Sequence, residues 1–182
     1  MKIRRVVAAV GPDGKSRFID DSSAPRSFEF SAAPGNATAL VWATLAGASL
    51  APGRNGEDLT NKVGFVPENG ETRLMICTFP PESTMIRADF DGAAFGTELF
   101  KLMPDLAMKF EPDHPGMHTT DSVDYDVVLE GEITLELDDG EEVLLKKHDV
   151  AIQHGTRHAW RNRSDKPAMV LFLLIGTTRR SV

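Results

Sequence analysis

Residues 118–131, HTTDSVDYDVVLEG, decide the fold, and residues 149–162, DVAIQHGTRHAWRN, carry its second half. In the first stretch apolar side chains such as Val127 and Leu129 fall at odd positions, whereas acidic ones such as Asp126 fall at even positions. Alternation with a period of two predicts strands with one buried face and one solvated face. We therefore expect the odd, apolar positions to be buried and Asp126 to face water.

The chain around these stretches consists of short apolar runs separated by turn signals. Asp138-Asp139-Gly140 predicts a hairpin, and Gly131 predicts a bend between two strands. One short helix is predicted from Thr97 to Met103, with Thr97 as its cap. Further strands are expected over residues 6–10, 39–44, 73–79, 143–145, 150–152, 158–161 and 169–175.

Closely spaced strands joined by turns predict an all-β protein, either an antiparallel barrel or a sandwich. We expect the barrel core over residues 113–182. Residues 1–112 are expected to form a β-rich extension that packs on the barrel or on a dimer partner.

Composition and net charge argue against several classes of function. The 182 residues carry a net charge of −7, which argues against a duplex-binding protein and against an anionic membrane surface. Cys77 is the single cysteine, so the chain has neither an intrachain disulfide nor a thiolate zinc cluster. The pattern is that of a soluble, cytoplasmic protein that binds small molecules, with neither nucleic acid nor membrane as a partner.

All five histidines lie between residues 114 and 158. His118, Thr120 and Asp124 are separated by even steps and would share one face of an extended segment. In a barrel, a later strand can bring His158 to the same place. Two imidazoles and one carboxylate form the facial triad of non-haem iron sites, and the same set suits zinc, manganese or nickel.

The two stretches resemble the two motifs of the cupins. The first cupin motif is His-x-His, three or four residues, Glu, six residues, Gly, and these positions hold His118, Thr120, Asp124 and Gly131 here. The second stretch keeps the Gly-x-x-His-x-x-x-Asn core of the other motif. The resemblance implies a small single-barrel cupin, a jelly roll or double-stranded β-helix, with extra N-terminal strands and at most two short helices.

The resemblance also implies a ligand set. His118, Asp124 and His158 would hold a divalent transition metal, although Thr120 stands where cupins carry a second histidine and Asp124 is shorter than Glu. Some cupin dioxygenases are similar in using His, an acidic residue and His. The chain further resembles small bacterial and fungal cupins that have long N-terminal extensions and accompany secondary-metabolism or aromatic-degradation enzymes. Cupins commonly form homodimers, so a homodimer is implied.

Three other side chains are expected to line the pocket. Thr120 would flank the open side of the ion, Gln153 would donate to a substrate oxygen, and Trp160 would wall the site because it lies two residues beyond His158. The sequence thus predicts a metal-dependent enzyme acting on a small organic acid, aromatic or enol-type metabolite, by oxygenation, decarboxylation or isomerisation. The alternative is a metal-free binding or sensor protein in which Thr120 and Asp124 contact the ligand directly.

Overall fold

The computed structural model describes residues 1–50 and 57–180, which form eleven strands and two α-helices. The helices are α1 (Gly92–Leu102) and α2 (Pro104–Ala107). The strands are β1 (Arg4–Val10), β2 (Ser16–Ser23), β3 (Arg26–Glu29), β4 (Ala37–Thr44), β5 (Thr72–Phe79), β6 (Ser122–Glu130), β7 (Glu132–Glu136), β8 (Glu142–Lys146), β9 (Val150–His154), β10 (Ala159–Arg161) and β11 (Ala168–Gly176). No helix in the described ranges is long and apolar enough to cross a membrane.

The strands pair antiparallel in three sheets. One sheet has six strands in the order β3-β4-β5-β11-β6-β9, the second has the order β10-β7-β8, and β1 and β2 form a separate hairpin. This architecture confirms the predicted all-β barrel with N-terminal strands and two short helices. β3, β4 and β5 lie in the same sheet as the later strands, and the division of the chain at residue 112 stays a prediction.

The core lies between the six-stranded and the three-stranded sheets. Val128 of β6, Val170 of β11 and Ile133 of β7 are fully buried in one cluster. Leu40 of β4 and Phe65 belong to the same cluster, so residues from both halves of the chain share it. Burial of such side chains is the main term that stabilises a domain of this size.

The faces of β6 are the reverse of the prediction. Asp126 is only 1% exposed, whereas Tyr125 is 42% exposed and Val127 and Leu129 are partly buried. The expectation that Asp126 faces water is therefore wrong. The reason is that even positions of β6 point toward the three-stranded sheet, as the burial of Val128 against the core shows. The odd, apolar positions lie on the outer face of the larger sheet.

The structure agrees with the turn predictions more closely than with the helix prediction. Gly131 has φ 72°, and a Cβ there would lie 2.7 Å from the carbonyl oxygen of Pro167, so only glycine fits this bend. α1 begins earlier than predicted because Asp91 is the cap, with its carboxylate accepting from the Ala94 amide at 2.9 Å. The Thr97 hydroxyl instead donates to the Ala93 carbonyl within the helix.

Asn162 fastens the turn before β11. Its buried amide donates to the carbonyl oxygens of Phe79 at 2.8 Å and Lys166 at 2.7 Å, and its carbonyl accepts from the backbone and hydroxyl of Ser164. One of these four bonds reaches β5, and the other three hold the turn that leads into β11.

Replacing Asn162 by Ala should lower the free energy of unfolding by about 2–4 kcal/mol, because the substitution removes the four hydrogen bonds of a buried side chain. Chemical denaturation of Asn162→Ala beside the wild type measures this difference. The exposed Asn69→Ala is the matched control and should change the stability little. A loss below about 1 kcal/mol in Asn162→Ala would contradict the stabilising role given to the Asn162 side chain.

Candidate functional site

A two-way backbone bridge brings His118 and His158 together. The His118 amide donates to the His158 carbonyl, and the His158 amide donates to the His118 carbonyl, both at 3.0 Å. The bridge places the two imidazole rings 4.3 Å apart between their centroids. His118 lies just before β6 and His158 just before β10, so the ring pair sits where the two large sheets meet.

Both rings are held in the same orientation by backbone acceptors. The Nδ1 atom of His118 is 3.1 Å from the Gly116 carbonyl oxygen, and that of His158 is 3.0 Å from the Thr156 carbonyl oxygen. Since a carbonyl only accepts, each Nδ1 carries the proton and each Nε2 keeps a free lone pair. Burial lowers the pKa of His118, and burial together with the neighbouring His118 lowers the pKa of His158 to about 4. Both imidazoles are therefore neutral near pH 7.

Two carboxyl groups form a second pair on the inner face of β6. Asp124 is 4% exposed and Asp126 is 1% exposed. Burial raises the pKa of Asp124 to about 6, against a lowering by Ser122. Burial and the charge of Asp124 raise the pKa of Asp126 to about 7, against a lowering by the hydrogen bond from Gln153. The Oδ1 atom of each carboxyl is buried without a hydrogen-bond partner.

Gln153 has its amide fixed from both ends. Its Oε1 accepts from the Thr156 hydroxyl at 2.8 Å, and its Nε2 donates to Oδ2 of Asp126 at 2.8 Å. Nearby, the Ser122 hydroxyl donates to Thr120 Oγ1 at 2.9 Å, and both of these residues are buried. The polar groups of β6 and β9 thus form connected pairs inside the barrel.

Aromatic rings continue from the imidazole pair. Phe110 lies 4.6 Å from His118 and Trp160 lies 6.1 Å from His158, measured between ring centroids. Trp160 in turn packs edge-to-face on Phe172 at 5.4 Å. Phe172 pairs with Asp126 across β11 and β6, so the aromatic side chains connect the imidazole pair with the carboxyl pair.

The structure brings part of the predicted site together. His118 and His158 are adjacent, and Trp160 lies beside them. Among residues 1–50 and 57–180, no three side chains from His, Cys, Asp and Glu form a group that could hold a metal ion. The metal set of His118, Asp124 and His158 therefore stays a prediction.

Asp126 and its contact with Gln153 were missed by the sequence reasoning. The signal was present, because a strand that turns Asp124 inward must also turn inward the residue two positions later. The same alternation places Tyr125 on the opposite face of β6, where it is 42% exposed. Gln153, predicted to donate to a substrate oxygen, donates to Asp126 in this structure.

A separate surface cleft of about 480 Å³ contains none of the predicted site residues. Arg5, Trp42 and Asp58 contribute to its lining. The guanidinium of Arg5 already pairs with Asp58 and Asp20 and lies over the Trp42 ring at 5.5 Å. These contacts hold the β1–β2 hairpin against β4. We therefore assign the candidate functional site to the barrel interior and not to this cleft.

The fold and the inner polar groups define a β-barrel protein with a small buried site at the meeting of its two large sheets. Residues 107–174 match the family described as Cupin domain. Residues 107–174 are therefore a cupin domain, as the two motifs predict.

The chain is also similar to fungal proteins. It is 65% identical over 48 residues to phomopsin biosynthesis cluster protein C' of Diaporthe leptostromiformis, covering 26% of this chain and 25% of that protein. It is 43% identical over 60 residues to a cupin-domain-containing oxidoreductase of Neurospora crassa, covering 32% and 31%. The matches thus span about a quarter to a third of these relatives. A Cupin 2 conserved barrel domain protein from Salinispora arenicola aligns with a TM-score of 0.33 at 12% identity, over 57% of this chain and 61% of that one.

The raised pKa of Asp126 predicts that the free energy of unfolding depends on pH. A carboxyl whose pKa is higher in the folded state binds more protons when folded, so the stability that it contributes falls as pH rises from about 4 through about 7. Asp126→Asn removes this loss. The variant should match the wild type near pH 4 and exceed its free energy of unfolding by on the order of 3 kcal/mol at pH 8.

Urea titrations at several pH values measure this difference. Asp113→Asn, at an exposed position, is the matched control and should give a difference that does not vary with pH. A pH-independent difference for Asp126→Asn would show that its buried carboxyl does not titrate as described.

Proposed function

We propose that this protein is a metal-dependent cupin oxidoreductase that acts on a small aromatic, enol-type or organic-acid metabolite. The name of the Neurospora crassa relative supports oxidation, and the phomopsin cluster relative supports a place in secondary metabolism. The barrel is also compatible with decarboxylation and isomerisation, because one fold hosts many reactions.

The imidazole pair is the observation that carries the proposal. A metal-binding histidine commonly donates its other ring nitrogen to a backbone carbonyl, which fixes the tautomer and orients the ring. His118 and His158 both have this arrangement, and their neutral Nε2 atoms are available as ligands. Keeping two uncharged imidazoles side by side and buried has a cost. A residue pair without a binding role would not need this arrangement, whereas an ion could bind to it.

The donor set suits a first-row divalent ion. Imidazole nitrogen with one carboxylate fits iron, manganese, nickel or zinc. His118 and His158 would supply two ligands, and Asp124, on the inner face of β6, is the proposed third. The proposal requires Asp124 to turn from Asp126 toward the rings. A bound ion would act as a Lewis acid or as an oxygen-binding centre.

The other inner side chains would position the metabolite. Trp160 and Phe172, which pack on each other, would offer apolar surface to it, and Thr120 would line the site as the sequence predicts. Gln153 acts through Asp126, whose carboxyl it orients. Burial of the whole group would exclude water from the reacting atoms.

A metal-free binding or sensor protein is the second candidate. The observation in its favour is that the described residues include no assembled group of three ligands. Under this alternative, Thr120 and Asp124 contact a small molecule directly, and the imidazole pair serves as a hydrogen-bond acceptor for it.

A homodimer is also part of the proposal. Tyr125 pairs with Ile152 across β6 and β9 and with Leu173 across β6 and β11, and cross-strand partners share one face of a sheet. Tyr125 is 42% exposed and Ile152 is 53% exposed. A continuous apolar patch on an outer sheet face is typical of an interaction surface, and a second copy would cover it.

Metal content tests the first candidate. Elemental mass spectrometry of untagged wild-type protein should find a near-stoichiometric transition metal, and His158→Ala should retain less than about a tenth of it, because one of the few ligands is lost. The exposed His154→Ala is the matched control and should keep the full content. Wild-type protein that takes up none of the four ions on reconstitution would favour the metal-free candidate, and full retention in His158→Ala would refute the site.

Light scattering coupled to size-exclusion chromatography tests the dimer. The wild type should elute with the mass of two chains, and Ile152→Glu should elute as a monomer, because a charge in the middle of the apolar patch opposes its burial. Val143→Glu is the control, since Val143 is 60% exposed on the other sheet. A dimeric Ile152→Glu variant would exclude this face as the interface.

A further inference from the structure

Two buried oxygen atoms inside the barrel have no hydrogen-bond partner. They are the Oδ1 atoms of Asp124 and Asp126, on the inner face of β6. Buried polar atoms in folded proteins almost always have a partner, so an orphaned pair calls for an explanation. A ligand that fits this place must therefore bring the missing donors with it.

The unpartnered oxygens of the two carboxylates are acceptors, and other acceptors lie in the same site. The Nε2 atoms of His118 and His158 carry lone pairs, because their Nδ1 protons are used by backbone carbonyls. The Gln153 amide is already engaged, because its Nε2 donates to Asp126 and its oxygen accepts from the Thr156 hydroxyl. Within the described ranges, neither Asp124 nor Asp126 forms an ion pair with a basic side chain.

We propose that Asp126, with Asp124 beside it, is a ligand-binding residue that accepts hydrogen bonds from a hydroxyl or amine head group of the metabolite. The inference rests on the proposed function, in that it takes the barrel interior as the small-molecule site, and it narrows the substrate class. A carboxylate head group has no donor and meets two carboxyls, so it is excluded. Asp126 has this role whether or not Asp124 turns toward a metal.

The adjacent aromatic rings indicate the body of the ligand. Phe172 lies opposite Asp126 in the β6–β11 pairing, and Trp160 packs on Phe172. A planar ring placed against these side chains would bring a head group one bond away to the carboxyl oxygens. The expected ligand is thus an aromatic or enol-type molecule that bears a donor.

Three probes with one aromatic ring and different head groups test the inference. Benzyl alcohol carries a neutral donor, benzylamine carries a cationic one, and benzoate carries none. Each is titrated into the full chain at pH 8, and its dissociation constant is measured by ligand-observed nuclear magnetic resonance. The alcohol, the amine or both should bind at least tenfold more tightly than benzoate, and the stronger of the two identifies the donor class.

Asp126→Asn reverses the polarity of the site at constant size. Where Gln153 keeps its donation to the oxygen of residue 126, the new amide NH2 group occupies the position of Oδ1. The variant should lose at least tenfold in affinity for the donor probe and gain affinity for benzoate. Asp105→Asn is the matched control, since Asp105 also has a buried, unpartnered Oδ1 but lies in α2. It should leave all three constants unchanged.

The metal content of the same samples separates this inference from the proposed function. Benzoate binding the wild type as tightly as the donor probes, no probe binding at all, or an unchanged order in Asp126→Asn would each overturn the inference, even where the metal is present. Preference for the donor probes in a protein without metal, reversed in Asp126→Asn, would support the inference and refute the metal assignment alone.

Discussion

The reciprocal backbone bridge between His118 and His158 is the constraint on which the site depends. It joins the residue that leads into the six-stranded sheet to the residue that leads into the three-stranded sheet. A shift of either sheet would break two main-chain hydrogen bonds as well as separate the rings. Main-chain geometry therefore sets the position of the two imidazole side chains.

The inner face of β6 combines two opposing demands. Val128 is buried with the apolar core, whereas Asp124 and Asp126, on the same face, bury carboxyls that lack full hydrogen bonding. The second arrangement costs stability, and folded proteins retain such a cost mainly where function uses it. The core at one end of the strand supports the reactive groups at the other.

Much of the architecture could be predicted from local patterns. The hairpin at Asp138-Asp139-Gly140 and the bend at Gly131 follow from backbone conformations that few residues adopt, so they are legible in the sequence. The pairing of His118 with His158 followed from motif spacing. Which face of β6 is buried could not be read from polarity, because Asp124 and Asp126 lie on the buried face and Tyr125 lies on the exposed one. Likewise, spacing alone does not reveal that Oδ1 of Asp124 is buried without a hydrogen-bond partner.

The place of β11 has a consequence for how the chain is made. β11 is hydrogen-bonded between β5 and β6, although both precede it in the sequence and β5 does so by nearly a hundred residues. Until β11 emerges from the ribosome, β5 and β6 each have an open edge, and apolar residues such as Leu74 and Val128 lack their neighbours. Folding governed by such distant pairings is slow and exposes edges that attract other chains. Until β11 is made, pairing of these open edges with another chain therefore competes with correct folding of the nascent protein.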